Sequence, residues 1–150
     1  MNSRIVRKAL AGFRWQDVDV LAYKADAAPF RDVTRQVLFG DAGQASQLRY
    51  FEVAPNGHTT LERHAHTHAV MILRGAGRCL VGDAVFAIET FDLVTVPPLT
   101  WHQFRASIES PLGFLCIVDA DRDRPQLPTP FELRQMRELP AIRAFLEADS

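Results

Sequence analysis

Glu62-Arg63-His64-Ala65-His66-Thr67-His68, followed further along by Pro97-Pro98-Leu99-Thr100-Trp101-His102, is the part of the chain on which its reading turns. Residues two apart on an extended strand face the same side, so Glu62 and His64 can converge on one ion while Arg63 and Ala65 face away. His68, four residues on, and His102, from a distant strand, would complete a set of three imidazoles and one carboxylate. Such donors suit one divalent first-row transition metal, among which Fe, Zn, Mn and Ni remain open. An isolated histidine is usually a surface or hydrogen-bonded residue, and a polar run of this kind can be an exposed edge strand. Here His64, His66 and His68, three of the chain's five histidines, fall within five residues. With a histidine-bearing proline turn beyond them, they point to a metal site inside a β-barrel. His58, just after Pro55-Asn56-Gly57, is expected to be solvent-exposed.

Strand signals surround this cluster. Short apolar or alternating runs occur at Val33–Leu38, Leu48–Val53, Thr60–His64, His68–Leu73, Arg78–Val81, Ala84–Ile88, Leu93–Val96, Gln103–Ser107 and Leu112–Val118. Gly40, Pro55-Asn56-Gly57, Gly75-Ala76-Gly77, Gly82-Asp83 and Pro97-Pro98 separate them. Gly82-Asp83 between two apolar runs reads as a tight hairpin. Regularly spaced short strands imply an antiparallel sandwich or barrel. Before them, residues 4–12 have the spacing of a short amphipathic helix ended by Gly12, and Trp15–Lys24 supplies a first strand or extended arm. After Pro125 and Pro128, Phe131–Met136 and Ala141–Leu146 have helical spacing and are expected to pack on the barrel's outside. The whole chain, 1–150, therefore reads as one domain: N-terminal arm 1–32, barrel core 33–118 and C-terminal helical tail 119–150.

The motif residues resemble the cupin superfamily, whose first motif runs glycine, a short spacer, H-x-H, three or four residues, Glu, six residues, Gly. Anchored on Arg74-Gly75-Ala76-Gly77-Arg78, which looks like the family's turn after the motif, the family's Glu position falls on His68 and its two histidines on Glu62 and His64. The second motif, G-x5-P-x-G-x2-H-x3-N, is matched at Pro97 and His102 with the right spacing between them. Phe91 and Leu99 stand where the family usually has glycines, and Ala106 replaces its Asn. A second register takes His64 and His66 as the H-x-H pair with Val70 at the Glu position; its three-histidine site of His64, His66 and His102 would resemble thiol dioxygenases. In the first register His66 sits in a turn between strands. The resemblance covers about residues 48–118 and implies an all-β, cupin-type jelly-roll barrel. It also implies a homodimer, with residues 15–38 lending an unpaired strand edge to the partner's sheet.

Length and composition agree with one compact core: 150 residues, 47% hydrophobic, formal net charge −1. No basic stripe or aromatic–basic alternation argues for nucleic acid or an anionic membrane, so a small molecule is the expected partner. Cys79 and Cys116 lie in apolar strand-like runs and are too few for a disulfide scaffold. Buried reduced thiols and a cytoplasmic location are expected. The first fourteen residues carry Arg4, Arg7, Lys8 and Arg14 but lack the apolar run of a secretory signal. The Asp119-Ala120-Asp121-Arg122-Asp123-Arg124 run reads as a solvated turn.

If His68 points inward, alternation carries Val70 and Ile72 inward too, and the same step from His102 takes Phe104 inward. The pocket is then apolar apart from the metal. Tyr50, Glu52 and Arg49 can each place one polar group at its mouth, and Tyr50 is taken as a pocket residue. Trp101 is expected to fix the His102 loop by packing, and Gln103 to face away from the cavity. An ion held by Glu62, His64, His68 and His102 keeps open positions for a substrate oxygen. The first expectation is therefore a metal-dependent enzyme performing dioxygenase-type oxidation of a small organic molecule. Metal-dependent isomerase or lyase chemistry, and a non-catalytic ligand-binding or sensory module, are the alternatives. Glu62, the one acid of the cluster, is also the candidate general base.

Overall fold

A computed structural model of the chain describes residues 5–22 and 31–148. Eleven strands precede two helices: β1 (Ala9–Leu10), β2 (Arg14–Trp15), β3 (Leu21–Ala22), β4 (Arg31–Phe39), β5 (Ser46–His58), β6 (His68–Arg74), β7 (Ala76–Val81), β8 (Ala84–Glu89), β9 (Leu93–Val96), β10 (His102–Ala106), β11 (Leu112–Asp119), α1 (Pro130–Met136) and α2 (Pro140–Leu146). The main sheet hydrogen-bonds in the order β8-β7-β10-β5-β11-β6-β9, and β4 pairs with both β3 and β5. Its pairings are all antiparallel.

β5 makes the sheet curl. Its first part, Ser46–Val53, pairs with β11, whereas His58 pairs with Arg105 of β10. One strand thus belongs to both halves of the barrel, and the sequence at the crossing is Pro55-Asn56-Gly57. Those three residues have the composition of a turn; instead the strand runs through, with Asn56 in the left-handed region at φ 61 and its N–H donating to the Ser107 carbonyl at 2.8 Å. Asn tolerates that conformation better than most residues, and an irregular residue of this kind bends a strand without ending it.

The inward-facing side chains of both halves, among them Val53, Val70, Ile72, Cys79, Phe104, Leu112 and Phe114, form one buried cluster. Leu80, the neighbour of Cys79 on β7, points the opposite way, as strand alternation requires. There it joins Leu61, Met136, Ile142 and Phe145 in a second cluster, through which α1 and α2 pack on the outside of the barrel. α1 begins with a capping box: the Glu132 N–H donates to Thr129 Oγ1 (3.2 Å) and the Thr129 N–H to Glu132 Oε2 (2.8 Å).

Two further local expectations are corrected. Residues 5–12 are not helical; β1 and β2 form a small hairpin with Ala9 opposite Trp15, turned by Gly12 and Phe13 at positive φ. A nine-residue amphipathic segment is too short to hold a helix in water without tertiary support. Thr60–His64 is extended, but its pairing is reduced to two bridges, Glu62 with His102 and Arg63 with Gln126. Arg4 at the start of the expected helix, and residues 23–30 of the expected arm, lie outside the described residues.

Three left-handed positions show what the motif spacing encodes. Gly75, at φ 74, turns β6 directly into β7, and a Cβ there would strike the Pro111 carbonyl. Phe91 and Leu99 stand where the family usually carries glycine, and both have left-handed backbones, φ 75 and 53. The loops keep the glycine conformation without the glycine. Their N–H groups anchor that geometry, Phe91 to the Ile72 carbonyl and Leu99 to the His64 carbonyl, each at 2.7 Å. Both side chains are exposed, so little packing offsets a left-handed cost of about 1–2 kcal/mol. Glycine's larger unfolded-state entropy returns roughly 0.5–1 kcal/mol of that. Phe91→Gly and Leu99→Gly are each expected to raise Tm by about 1–3 °C. Calorimetric melting checks this, and a lowered Tm in both would mean that the exposed side chains pack on something.

Candidate metal centre

The barrel brings His64, His68 and His102 together, with one ligand-capable atom from each lying within 4.8 Å of the others. His68 opens β6 and His102 opens β10, while His64 comes from the extended segment between β5 and β6. That segment is held against β10 by reciprocal backbone bonds, the Glu62 N–H to the His102 carbonyl (3.2 Å) and the His102 N–H to the Glu62 carbonyl (3.0 Å). Glu62, expected as the fourth ligand, lines the same cavity but lies outside the group of three imidazoles.

The rings are oriented by their outer nitrogens. His64 Nδ1 is 2.7 Å from the His66 carbonyl and His102 Nδ1 is 2.9 Å from the Thr100 carbonyl. A carbonyl only accepts, so each Nδ1 carries the proton and each Nε2 keeps its lone pair. His68 is held by Cys116, whose Sγ is 3.0 Å from His68 Nδ1. His68 Nε2 is buried without a hydrogen-bond partner among the described residues. A buried nitrogen left unsatisfied costs free energy unless something occupies it, and three convergent imidazole nitrogens are the donor set of a divalent transition-metal site. The residues present fit such an ion.

Electrostatics point the same way. Burial lowers the pKa of His64, His68 and His102, that of His102 to about 4, so all three are neutral and able to ligate at pH 7. Burial pushes Glu62 up to about 7, against a downward pull from the Arg49 guanidinium.

His66 is placed differently. Its ring stacks on His64 with centroids 3.7 Å apart, and its Nδ1 lies 2.7 Å from Asp123 Oδ1. The same carboxylate accepts the N–H groups of Ala65 (2.7 Å) and His66 (3.1 Å). Asp123, read from sequence as part of a solvated turn, instead clamps the histidine loop. No local pattern could have shown this, because the contact spans 57 residues.

The expected pocket residues separate into two groups. Phe104 lines the cavity; Val70 and Ile72, fully buried, lie in the apolar cluster to which Phe104 and Phe114 also belong. Tyr50 lies on the other face of β5, stacked under Phe13 and tilted against Trp15, with its hydroxyl donating to Glu52 Oε2 at 2.9 Å. Alternation explains the split: Arg49 and Phe51 line the cavity, so Tyr50 and Glu52 cannot. Gly113 admits the Tyr50 hydroxyl, which any Cβ there would meet. Gln103 and His58 face a separate outer groove, with His58 half-buried rather than exposed. Trp101 packs against the outer cluster and under the Arg63 guanidinium, 4.4 Å from its ring centre.

Cys116 is the residue whose role the sequence did not show. It reads as an ordinary core thiol, yet its sulfur borders the cavity, against His68 and 3.7 Å from Arg49 Nη2. The cavity, about 170 Å³, is also lined by Arg35, Arg122 and Thr60. Both cysteines are free, and burial raises their pKa. No helix among the described residues is long and apolar enough to cross a membrane.

Comparison with known proteins agrees with this architecture. The cupin-domain family profile matches residues 49–118. A 1-methylthio-D-xylulose 5-phosphate methylsulfurylase from Rhodospirillum rubrum is 54% identical over 147 residues, covering 97% of this chain and 94% of that protein. The crystal structure of a cupin 2 conserved barrel domain protein from Rhodopseudomonas palustris superposes with a TM-score of 0.88 at 54% identity, over 93% of this chain and 97% of that one. A cupin-2 domain structure from Rhodospirillum rubrum gives 0.86 at 55% identity, over 93% and 95%. With its jelly-roll barrel, its histidine cluster and these relatives, the chain belongs to the cupin family.

Proposed function

We propose that this protein is a metal-dependent enzyme that removes a methylthio group from a phosphorylated keto sugar, using His64, His68 and His102 as metal ligands, Glu62 as the proton carrier and Cys116 as the sulfur acceptor. The observation that carries the reading is the Cys116 thiol at the edge of the cavity, 3.0 Å from His68 Nδ1. The name of the Rhodospirillum rubrum relative supplies the substrate class.

A divalent ion held by these ligands supplies Lewis acidity toward a substrate carbonyl. In a 1-methylthio ketose the sulfur is bonded to the carbon next to that carbonyl. The Cys116 sulfur bonds to the methylthio sulfur, and the carbon–sulfur bond breaks with its electron pair passing to carbon. That carbon takes up one proton in place of the one the thiol has lost. Glu62, the one carboxylate among the described residues lining the cavity, is the group able to carry it. The carbon is reduced and the sulfur pair oxidised: the products are a 1-deoxy ketose phosphate and a methyl disulfide on Cys116. A low-molecular-weight thiol then exchanges with that disulfide, leaving as its own methyl disulfide and restoring Cys116. This requirement favours a reducing compartment such as the cytoplasm. A homodimer through the N-terminal arm belongs to the same reading, and the exposure of Leu10 and Leu21 on that arm supports it.

Dioxygenase-type oxidation is the competing reading, favoured by the three-imidazole cluster. One experiment separates them: metal-loaded protein incubated without oxygen with 1-methylthio-D-xylulose 5-phosphate and a small thiol. The expected result is one methyl disulfide and one deoxy sugar phosphate per substrate consumed. Strict dependence on dioxygen would return the oxidation. Loss of methanethiol without disulfide would indicate a lyase, and binding without turnover a ligand-binding module.

A further inference from the structure

We infer that Arg35, Arg49 and Arg122 form an anion subsite that receives the phosphate ester of the sugar, an assignment that rests on the function proposed above. The three guanidinium groups come from β4, β5 and the segment after β11, and all line the cavity of the histidine cluster. Glu62 is the one acid among the described residues there.

Arg49 is the most telling of the three. It is only 9% exposed, and a cation this buried ordinarily has an anionic partner. Its Nη2 meets the Cys116 sulfur at 3.7 Å, and its guanidinium lies 4.9 Å from the Phe51 ring centre; the one carboxylate whose charge it feels in the cavity is Glu62, which burial keeps partly neutral. Its Nε is buried with no hydrogen-bond partner among the described residues, and so is the hydroxyl of Thr60, a cavity-lining residue 2% exposed. These are donors waiting for an acceptor. Arg122 is braced from behind, its Nη1 donating to the Asp119 carbonyl (3.0 Å) and its Nη2 to Gln47 Oε1 (3.4 Å). A phosphate monoester carries close to two negative charges at pH 7, and its oxygens accept forked guanidinium donors. A neutral sugar offers Arg49 no charge to meet.

The test is calorimetric binding of D-xylulose 5-phosphate, D-xylulose and inorganic phosphate to the metal-loaded full chain, with Arg122→Met, Arg49→Met and Arg49→Lys beside wild type. Wild type should bind the sugar phosphate at least 10-fold tighter than either of the other two. Each Met variant should lose at least 10-fold for the sugar phosphate at unchanged metal content, with Arg49→Lys recovering part. Arg122 is half-exposed, so its variant decides if Arg49→Met fails to fold. Equal affinity for xylulose and its phosphate, no binding of either, inorganic phosphate binding as well as the sugar phosphate, or a preference that survives in both Met variants would each overturn the assignment. Arginine-dependent phosphate preference without turnover of the methylthio sugar would keep the subsite and remove the proposed reaction. Turnover with the preference intact in the arginine variants would do the reverse.

Discussion

Replacing His68 by alanine is expected to strip the metal from the protein, whereas replacing His66 leaves it bound. The two residues sit two apart in one short motif, and from the motif alone either can be taken as the ligand. The difference lies in what each ring faces. His68 presents a buried Nε2 with no partner toward His64 and His102. His66 Nδ1 faces the Asp123 carboxylate, and what His66 gives the site is its backbone carbonyl, which accepts from His64 Nδ1 and survives substitution by alanine. His66→Ala removes a stacked ring and its contact with Asp123, while the backbone bonds to that carboxylate remain, so its cost should stay within the roughly 10–100-fold in metal affinity typical of outer-shell partners. His68→Ala removes one of three imidazoles and should cost far more, leaving the protein without metal after dialysis. Elemental analysis of the two variants beside wild type and His102→Ala decides it. Metal retained by His68→Ala and lost from His66→Ala would move the site to the other register. Circular dichroism on each variant separates ligand loss from unfolding.

What could be read in advance follows from how local the cause is. The strands β6 to β11 and both tail helices were legible because each is specified by its own apolar period and bounded by its own Gly, Asn or Pro. The cluster was legible for the same reason: its histidines lie close together in sequence, and the proline turn marks the approach of His102. The N-terminal hairpin was not, because a short segment with helical spacing takes the conformation its neighbours reward, and here Gly12 and Phe13 turn it back on itself. Pro55-Asn56-Gly57 carries the composition of a turn but, inside β5, acts as a bend. The side of β5 that Tyr50 takes is not legible, because nothing in the sequence fixes which of two alternating faces looks inward; the burial of Arg49, against ordinary preference, reverses the obvious choice. Asp123, Arg122 and Cys116 are illegible for another reason. Each acts through a partner far along the chain, Cys116 through His68 at a separation of 48 residues. Only the closed barrel puts them at one site.

Cys116→Ser should lower turnover of the methylthio sugar phosphate by at least about 10³-fold, as loss of a nucleophile does when no other group can replace it, while metal content stays near that of wild type. The conservative change matters. Serine keeps an oxygen where Sγ was, so His68 Nδ1 retains a hydrogen-bond acceptor and the ligand keeps its tautomer. What serine cannot do is bond to a substrate sulfur and accept the methylthio group, because oxygen forms no exchangeable analogue of the disulfide. A purely structural thiol, one that fills core volume and steadies His68, predicts a different pattern: Cys116→Ser near wild-type activity, and Cys116→Ala losing metal and activity together. Cys79 is an internal control. It is equally buried but belongs to the apolar cluster away from the cavity lining, so Cys79→Ser is expected to lower stability without changing the reaction. The direct signature comes from a single turnover without added thiol. Intact-mass analysis of wild type should find one methylthio group in place of one hydrogen, released by a small thiol and absent from Cys116→Ser. An unmodified protein that has nonetheless converted the substrate would remove Cys116 from the chemistry and leave it as the brace of His68.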